Sequence, residues 1–135
     1  MTDPTFQKPL PNFTEAEIDP DKFYRYSMDP ANIGSQSKWM AFEEIGYPVH
    51  DDENRWNATQ NVIEQLKESL PDVPAKPGKN TQYGQRYQVR TEITGPTGKT
   101  GMLVTVWQID TGKDVPRLIT NWLEVHHEIH EKYSD

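Results

Sequence analysis

Hydrophobic residues along this 135-residue chain recur with a helical period in its first half and with a strand period in its second half. The longest helical pattern runs from Glu53 to Leu70, and the proline that follows ends it. Its apolar face consists of Ala58, Val62, Leu66 and Leu70. A shorter helix is predicted over 38–45, capped by a serine at position 35 or 37 and ended by Gly46. The sequence therefore predicts two amphipathic helices joined by a turn.

Three runs rich in Val, Ile, Thr, Tyr and Trp follow, at 85–94, 100–109 and 117–125. Their turn residues predict an antiparallel meander, and alternation places Tyr87, Val89, Thr91 and Ile93 of the first run on its buried side. The second run is apolar on both faces, which indicates a central strand that is covered on both sides. The polar stretch 72–82, with two prolines and a glycine, is predicted as an irregular surface connection.

The first 36 residues contain five prolines and no sustained period. We interpret residues 1–30 as an extended N-terminal arm, solvated to about Glu17 and then held against the domain by aromatic residues such as Phe23. Residues 31–125 are predicted to form the domain, and residues 126–135 a C-terminal tail. The predicted fold class is α+β, with two helices packed on a three- or four-stranded antiparallel β-meander.

The charge of the chain narrows the classes of function. Its formal net charge is −7, and this argues against non-specific nucleic-acid binding, which depends on clustered Lys and Arg. The absence of cysteine excludes disulfides, thiol catalysis and thiolate metal sites. No leader pattern opens the sequence and no run of 18 apolar residues interrupts it, so we expect a cytoplasmic protein with no membrane partner.

Six segments between Asp29 and about Leu123 resemble a known family in their order and spacing. They are DPANIGSQSKWMAFEEIGY, LPDVPAKPGK, YGQRYQV, ITGPTGKTG, VTVWQID and DVPRLIT. The family consists of uncharacterised small bacterial domains, found standalone and at the ends of polymorphic-toxin proteins. Its layout is similar to the fold of barnase and RelE-type toxins, a likeness that does not fix function. The resemblance implies a toxin or a member of a toxin and immunity pair. This chain has GSQS at 34–37 where the family often has basic or histidine residues, which argues against catalysis by that segment.

Metal-independent RNA cleavage needs a base, an acid and cations that stabilise the phosphorane. The candidate catalytic residues are Lys38, Tyr83, Arg86 and Arg117, and Thr105 and Asp114 could join them. Structural roles compete with this interpretation. Lys38 can face solvent on a helix, Tyr83 can pack in the core with its hydroxyl at the rim, and Asp114 and Arg117 can form an ion pair or a turn cap. Antiparallel order alone does not bring the start of the first predicted strand to the start of the third.

Other side chains that suggest chemistry have simpler interpretations. His126, His127 and His130 have the spacing of metal ligands, but a frayed polar tail is the favoured interpretation. The four tryptophans are interpreted as core anchors rather than as a platform for stacked bases. The glycines at 95–101 lack the lysine and hydroxyl pair of a phosphate loop. No metal and no cofactor are predicted.

Two classes of function remain. The first is a non-enzymatic interaction protein that binds a protein partner through its acidic surface, a sheet edge or the N-terminal arm. This class allows a homo-oligomer. The alternative is a metal-independent ribonuclease of bacterial toxin type, with RNA as its partner. The acidic charge favours the first class, and whether the chain is an enzyme stays open.

Overall fold

The computed structural model describes residues 8–126. Two α-helices, α1 (Trp39–Glu44) and α2 (Asp52–Ser69), precede the strands β1 (Ala75–Thr81), β2 (Gly84–Thr94), β3 (Thr100–Asp110) and β4 (Pro116–Glu124). The strands pair in the order β1-β2-β3-β4, each antiparallel to its neighbour. This confirms the predicted α+β fold and its meander, with four strands. No helix in this part of the chain is long and apolar enough to cross a membrane.

Helix α2 forms where the sequence predicts it, and polar contacts fix its first turn. The Asp51 carboxylate caps the helix by accepting a hydrogen bond from the Asn54 amide. Arg55 is only 7% exposed. Its guanidinium donates to the carbonyl oxygens of Val49, at 2.8 Å, and Tyr24, at 2.9 Å. A buried cation therefore ties α2 to the preceding loop and to the N-terminal arm.

The stretch predicted as an irregular connection contains strand β1. It pairs with β2 in a register that sets Ala75 opposite Val89, and a bulge separates Pro77 from Asn80. Every β1 residue after Ala75 is exposed. The sequence of β1 is poor for a strand, because proline donates no ladder hydrogen bond and glycine and asparagine have low β-propensity. The prediction for 75–81 is wrong because the free edge of β2 supplies pairing that local propensity does not encode.

The N-terminal arm is part of the fold from Lys8 onward. Leu10 is 1% exposed, so the expected solvation of the arm up to Glu17 is wrong for these residues. The Lys8 carbonyl accepts a hydrogen bond from the Ala75 amide, at 2.8 Å, beside β1. Glu17 pairs with the beginning of β4, accepting from the Leu118 amide at 2.9 Å. The arm thus crosses from one edge strand to the other, a path that isolated apolar residues between prolines do not reveal.

A π-helical segment, Phe23–Ser27, anchors the second half of the arm. Phe23 is 0% exposed, as predicted for a residue that holds the arm. The Ser27 hydroxyl donates to Asn121 Oδ1 at 2.6 Å, and Asn121 Nδ2 donates to the Lys22 carbonyl at 3.0 Å. Asn121 of β4 is itself 0% exposed, so these hydrogen bonds join the arm to the sheet inside the protein.

The two sides of the sheet differ. The covered side packs against the helices and the arm, and its buried strand residues include Ala75, Val89, Ile93, Leu103, Trp107, Leu118 and Leu123. The opposite side, here called the open face, contributes no residue to the main buried core, and at its β4 edge Thr120 contacts Tyr26 of the π-helical segment. It carries Arg86, Gln88, Arg90, Glu92, Met102, Val104, Val106, Gln108, Asp110, Arg117, Thr120, Trp122 and Glu124. Strand β3 therefore carries apolar residues on both sides, as predicted. The helices and the arm cover one of these sides.

The tryptophans follow this division. Trp107 on the covered side is 0% exposed, in agreement with its predicted role as a core anchor. Trp56 of α2 is 42% exposed, so the same prediction is wrong there. Trp39 and Trp122 are half-buried. Alternation along β3 explains the burial of Trp107, whereas the exposure of Trp56 follows from its position outside the apolar stripe of α2.

Candidate binding face and cationic cleft

The middle of the open face is an apolar centre, formed by Met102, Val104, Val106 and Trp122. Val104 is 0% exposed, although it lies outside the main core. In the sheet register it lies between Arg90 of β2 and Trp122 of β4. Glu124 forms an ion pair with Arg90 and accepts a hydrogen bond from Trp122 Nε1 at 3.2 Å. These side chains shelter Val104 and leave the rest of the apolar centre partly exposed.

A cationic cleft of about 490 Å³ lies at the end of the open face where β2 and β4 begin. It is lined by Lys79, Thr81, Tyr83, Arg86, Gln108, Asp110 and Arg117. Strands β2 and β4 run in the same direction because each is antiparallel to β3, so their starts lie at one end of the sheet. In register, Gln108 lies between Arg86 and Arg117. The expectation that strand order does not bring these starts together is therefore wrong.

Four side chains form a hydrogen-bonded network across the cationic cleft. Arg86 Nε donates to Gln108 Oε1 at 3.1 Å, and Gln108 Nε2 donates to Asp110 Oδ1 at 2.7 Å. Arg117 donates to both oxygens of Asp110, at 2.7 Å from Nε and 3.1 Å from Nη2. A two-point arginine–carboxylate pair restricts the orientation of both partners. The network therefore holds two guanidinium groups in defined positions.

This network also fixes the charge state of Asp110. Hydrogen bonds from Arg117, and then from Gln108, lower the pKa of Asp110 to about 2. The same contact with Asp110 raises the pKa of Arg117. A general base works best when its pKa lies near the working pH. Asp110 is therefore a charged structural partner of Arg117 and a poor acceptor of protons at neutral pH.

The cationic cleft has an excess of positive charge. Its lining includes three cations, Lys79, Arg86 and Arg117, and one anion, Asp110. Of these cations, Lys79 and Arg86 form no ion pair with a described carboxylate. The wider molecule has the same asymmetry. Residues 8–74 carry 13 acidic and six basic side chains, whereas residues 75–126 carry four acidic and seven basic ones. The sheet is thus a positive region of an acidic protein and can attract an anionic group.

Three of the four residues predicted for a ribonuclease lie in the cationic cleft, namely Tyr83, Arg86 and Arg117. Tyr83 is 69% exposed, so the core packing expected for it is wrong. Lys38 does not line the cleft. Its ammonium group donates to the Tyr26 hydroxyl at 2.8 Å and lies 4.6 Å from the centre of the Tyr26 ring. This contact lowers the pKa of Tyr26 and gives Lys38 a partner within the fold.

Thr105 and Asp114, the two further candidates for the ribonuclease site, lie outside the cationic cleft. Thr105 is buried on the covered side, where its hydroxyl accepts a hydrogen bond from the Trp107 indole at 2.8 Å. Asp114 is exposed, and its backbone carbonyl accepts from the Asn12 side chain at 2.7 Å. The predicted pairing of Asp114 with Arg117 is wrong, because Arg117 pairs with Asp110.

Four residues of the cationic cleft were not among the candidates predicted from the sequence: Lys79, Thr81, Gln108 and Asp110. A signal for two of them was present, because alternation along β3 places Gln108 and Asp110 on the same side as Val106. Lys79 and Thr81 carried no such signal, since their strand was not predicted.

The predicted histidine set can be compared with the structure only in part. Residues 8–126 contain no group of three side chains arranged to hold a metal ion. His126 is exposed, and the other two histidines of the predicted metal set, His127 and His130, lie outside the described residues.

Residues 9–125 match the model of a family described as a domain of unknown function, DUF6883. The chain belongs to this family. The matched residues include both helices, all four strands and every residue of the cationic cleft. Membership confirms the resemblance to an uncharacterised family, whereas the likeness to barnase and RelE-type toxins stays a prediction.

A solved structure has a similar fold at low sequence identity. It is a chain of the contact-dependent growth inhibition toxin and immunity protein complex from Klebsiella pneumoniae 342, with a TM-score of 0.56 and 15% identity. The match covers 84% of this chain and 97% of that chain. At this identity the likeness concerns the fold alone. The comparison with curated proteins gives no match.

Proposed function

We propose that this DUF6883 domain is a non-enzymatic protein of toxin and immunity type that binds a protein partner through the open face of its sheet. The similar fold in a toxin and immunity protein complex supports a role in protein binding. The observation that carries the proposal is the uncovered apolar side of β3. Met102, Val106 and Trp122 are partly exposed there, and none of the three belongs to the main buried core.

The composition of the open face suits a protein interface. Tryptophan and arginine are enriched among the residues that contribute most to binding, and such residues cluster near the centre of an interface. Trp122 lies at the apolar centre, and Arg86 and Arg90 border it on β2. The half-buried Trp122 already has its indole N–H bound to Glu124, so a partner that covers the ring leaves no polar atom unpaired.

The other surfaces suggested by the sequence are less suited to a partner. The exposed edge strand β1 contains Lys76, Pro77 and a bulge, features that hinder the addition of another strand. Residues of the arm such as Leu10 and Phe23 are buried in the core, so that part of the arm is not free to bind. Most acidic side chains of the described chain belong to residues 8–74, the arm and the helices, rather than to the strands that carry the apolar centre.

The test is co-expression of the chain with the product of each neighbouring gene, followed by copurification and calorimetry. Trp122→Ser and Val106→Glu alter the apolar centre, and Trp56→Ser alters a partly exposed tryptophan on α2. We expect one product to copurify with the native chain and with Trp56→Ser. Binding should weaken by roughly 30-fold or more in Trp122→Ser, since a central aromatic residue contributes about 2 kcal/mol or more.

Two results contradict the proposal. One is a partner that binds both open-face variants as tightly as the native chain. The other is a chain that remains alone after co-expression with every neighbouring product.

A metal-independent ribonuclease is the second candidate, and the convergence of Tyr83, Arg86 and Arg117 in one cleft favours it. It lacks an evident general base, because the pKa of Asp110 is about 2 and Lys38 lies outside the cleft. The test is incubation of the purified chain with RNA in EDTA. RNA cleavage that Arg117→Ala abolishes without unfolding the domain, and that Lys38→Ala retains, would establish this second function in place of the first.

A further inference from the structure

We propose that the cationic cleft is a carboxylate pocket, which receives an acidic segment of the protein partner. This inference rests on the proposed function and adds the chemistry of the partner. The pocket would bind side chains of Asp or Glu through Arg86 and Lys79. Its position at the end of the apolar centre, where Gln108 follows Val106 on the same side of β3, makes it continuous with the proposed interface.

Arg86 is oriented by the protein yet keeps its terminal amino groups available. Its Nε is bound to Gln108, whose amide is in turn fixed by Asp110. The two terminal amino groups have no hydrogen-bond acceptor among the described residues. A guanidinium group presents a planar fork that matches a carboxylate, and an already oriented fork loses less entropy on binding.

Charge in the pocket favours an incoming anion. Arg117 compensates the charge of Asp110 through its two hydrogen bonds, so Asp110 does not act as a free negative group. Lys79 and Arg86 remain without carboxylate partners in the described chain. Each can therefore bind an oxyanion without first breaking an ion pair within the protein.

The distribution of charge over the molecule orients an acidic partner. The helices and arm are strongly acidic, while the sheet has more basic than acidic side chains. An acidic protein surface is repelled by the first region and attracted to the second, which favours docking on the sheet.

The dimensions of the pocket favour carboxylates of a protein over RNA. A cavity of about 490 Å³ accommodates a few side chains rather than an extended phosphate backbone. Binding of nucleic acid rests on many phosphate contacts along a basic surface, and only two cations here are free of an ion pair. Tyr83, 69% exposed, lies at the rim and can pack against the partner's aliphatic groups.

The experiment titrates the full chain with three probes: a hexaglutamate peptide with blocked ends, inorganic phosphate and a hexauridylate RNA. Binding is followed by NMR chemical shifts at low salt. We expect the peptide to perturb Arg86 and Tyr83 and to bind more tightly than the other probes. Arg86→Gln should weaken peptide binding by roughly tenfold or more, because hydrogen bonds to charged groups are strong. Lys79→Gln should weaken it by a few-fold.

Arg25→Gln is the matched control. Arg25 is an arginine of the arm, paired with Asp21 at 3.5 Å and 73% exposed, and its loss should leave peptide binding unchanged. The inference is overturned if Arg86→Gln binds the peptide as the native chain does. It is also overturned if RNA or phosphate binds more tightly than the peptide.

Copurification of the partner with two variants distinguishes failure of this inference from failure of the proposed function. If Val106→Glu abolishes copurification and Arg86→Gln leaves it intact, the open face binds the partner but the carboxylate pocket does not. If both variants retain the partner, the proposed function fails as well.

Discussion

Two tryptophans on opposite sides of the same sheet show how differently its two faces are used. Trp107 is 0% exposed on the covered side and donates its indole N–H to Thr105 at 2.8 Å. Trp122 is half-buried on the open face and donates to Glu124 at 3.2 Å. Both indole N–H groups are satisfied, so hydrogen bonding does not distinguish them. Burial does: it assigns Trp107 to stability, whereas part of the Trp122 ring stays exposed on the open face.

The helical region and the sheet also differ in charge. The net charge of −7 is a total that combines an acidic region, residues 8–74, with a sheet region that has an excess of basic residues, and it also includes the two chain ends. A partner approaching the molecule responds to the local potential rather than to this total. The net charge therefore does not indicate which side of the protein attracts an anion.

The largest effect should come from removing the buried tryptophan. Trp107→Ala should destabilise the domain by about 3 to 5 kcal/mol, because it leaves a large cavity in the core. Trp122→Ala should cost about 1 kcal/mol, since its ring is already partly in water. Urea denaturation measures both free energies of unfolding. Equal losses would show that the open face contributes as much to stability as the covered side.

A clash on the covered side should have the next largest effect. At Gly95 an added Cβ would lie 1.9 Å from the Ile45 carbonyl oxygen, so Gly95→Ala must displace α1 or the hairpin. We expect a loss of about 3 kcal/mol in the free energy of unfolding. Gly98→Ala is the control: nothing lies within 4 Å, but its φ of +88° should cost about 1 kcal/mol. Thermal unfolding of the two variants should rank them in this order, and the reverse ranking would contradict the close packing of the turn.

The attachment of the arm to the covered side depends on Asn121. Asn121→Ala removes its hydrogen bonds to Ser27 and to the Lys22 carbonyl, and it should destabilise the domain by about 2 kcal/mol. Hydrogen exchange should then accelerate in the arm first. Gln88→Ala, on the open face of β2 and without a hydrogen bond to the described arm, should cost less than about 1 kcal/mol. Unchanged exchange in the arm of the Asn121 variant would mean that the apolar contacts hold it alone.

The smallest predicted effect is a loss of folding stability at acidic pH. The pKa of Asp110 is lowered from 3.8 to about 2, so its ionised form favours the folded state. This contribution is present above about pH 4 and is lost as the pH falls through the folded pKa near 2. In Arg117→Gln the pKa of Asp110 should rise toward its ordinary value, as carboxyl NMR can measure. Glu124, whose pKa is lowered mainly by Arg90, should keep its lowered pKa as the control. An unchanged pKa of Asp110 would exclude Arg117 as the cause.

The sequence by itself determined helix α2, the meander of β2, β3 and β4, and the buried side of β2. These features repeat with a fixed period over many residues, and burial of one face requires that period. The sequence also showed that β3 is apolar on both sides, and this is the basis of the proposed binding face.

Only the tertiary structure decided β1, the path of the arm and the assembly of the cationic cleft. Strand β1 forms because β2 offers a free edge, and the arm is held by contacts with residues such as Ala75 and Asn121, which are distant in the chain. The cleft brings Tyr83 and Arg86 next to Arg117 across β3. Such contacts depend on the register and direction of paired strands, and no local pattern around a single residue encodes them.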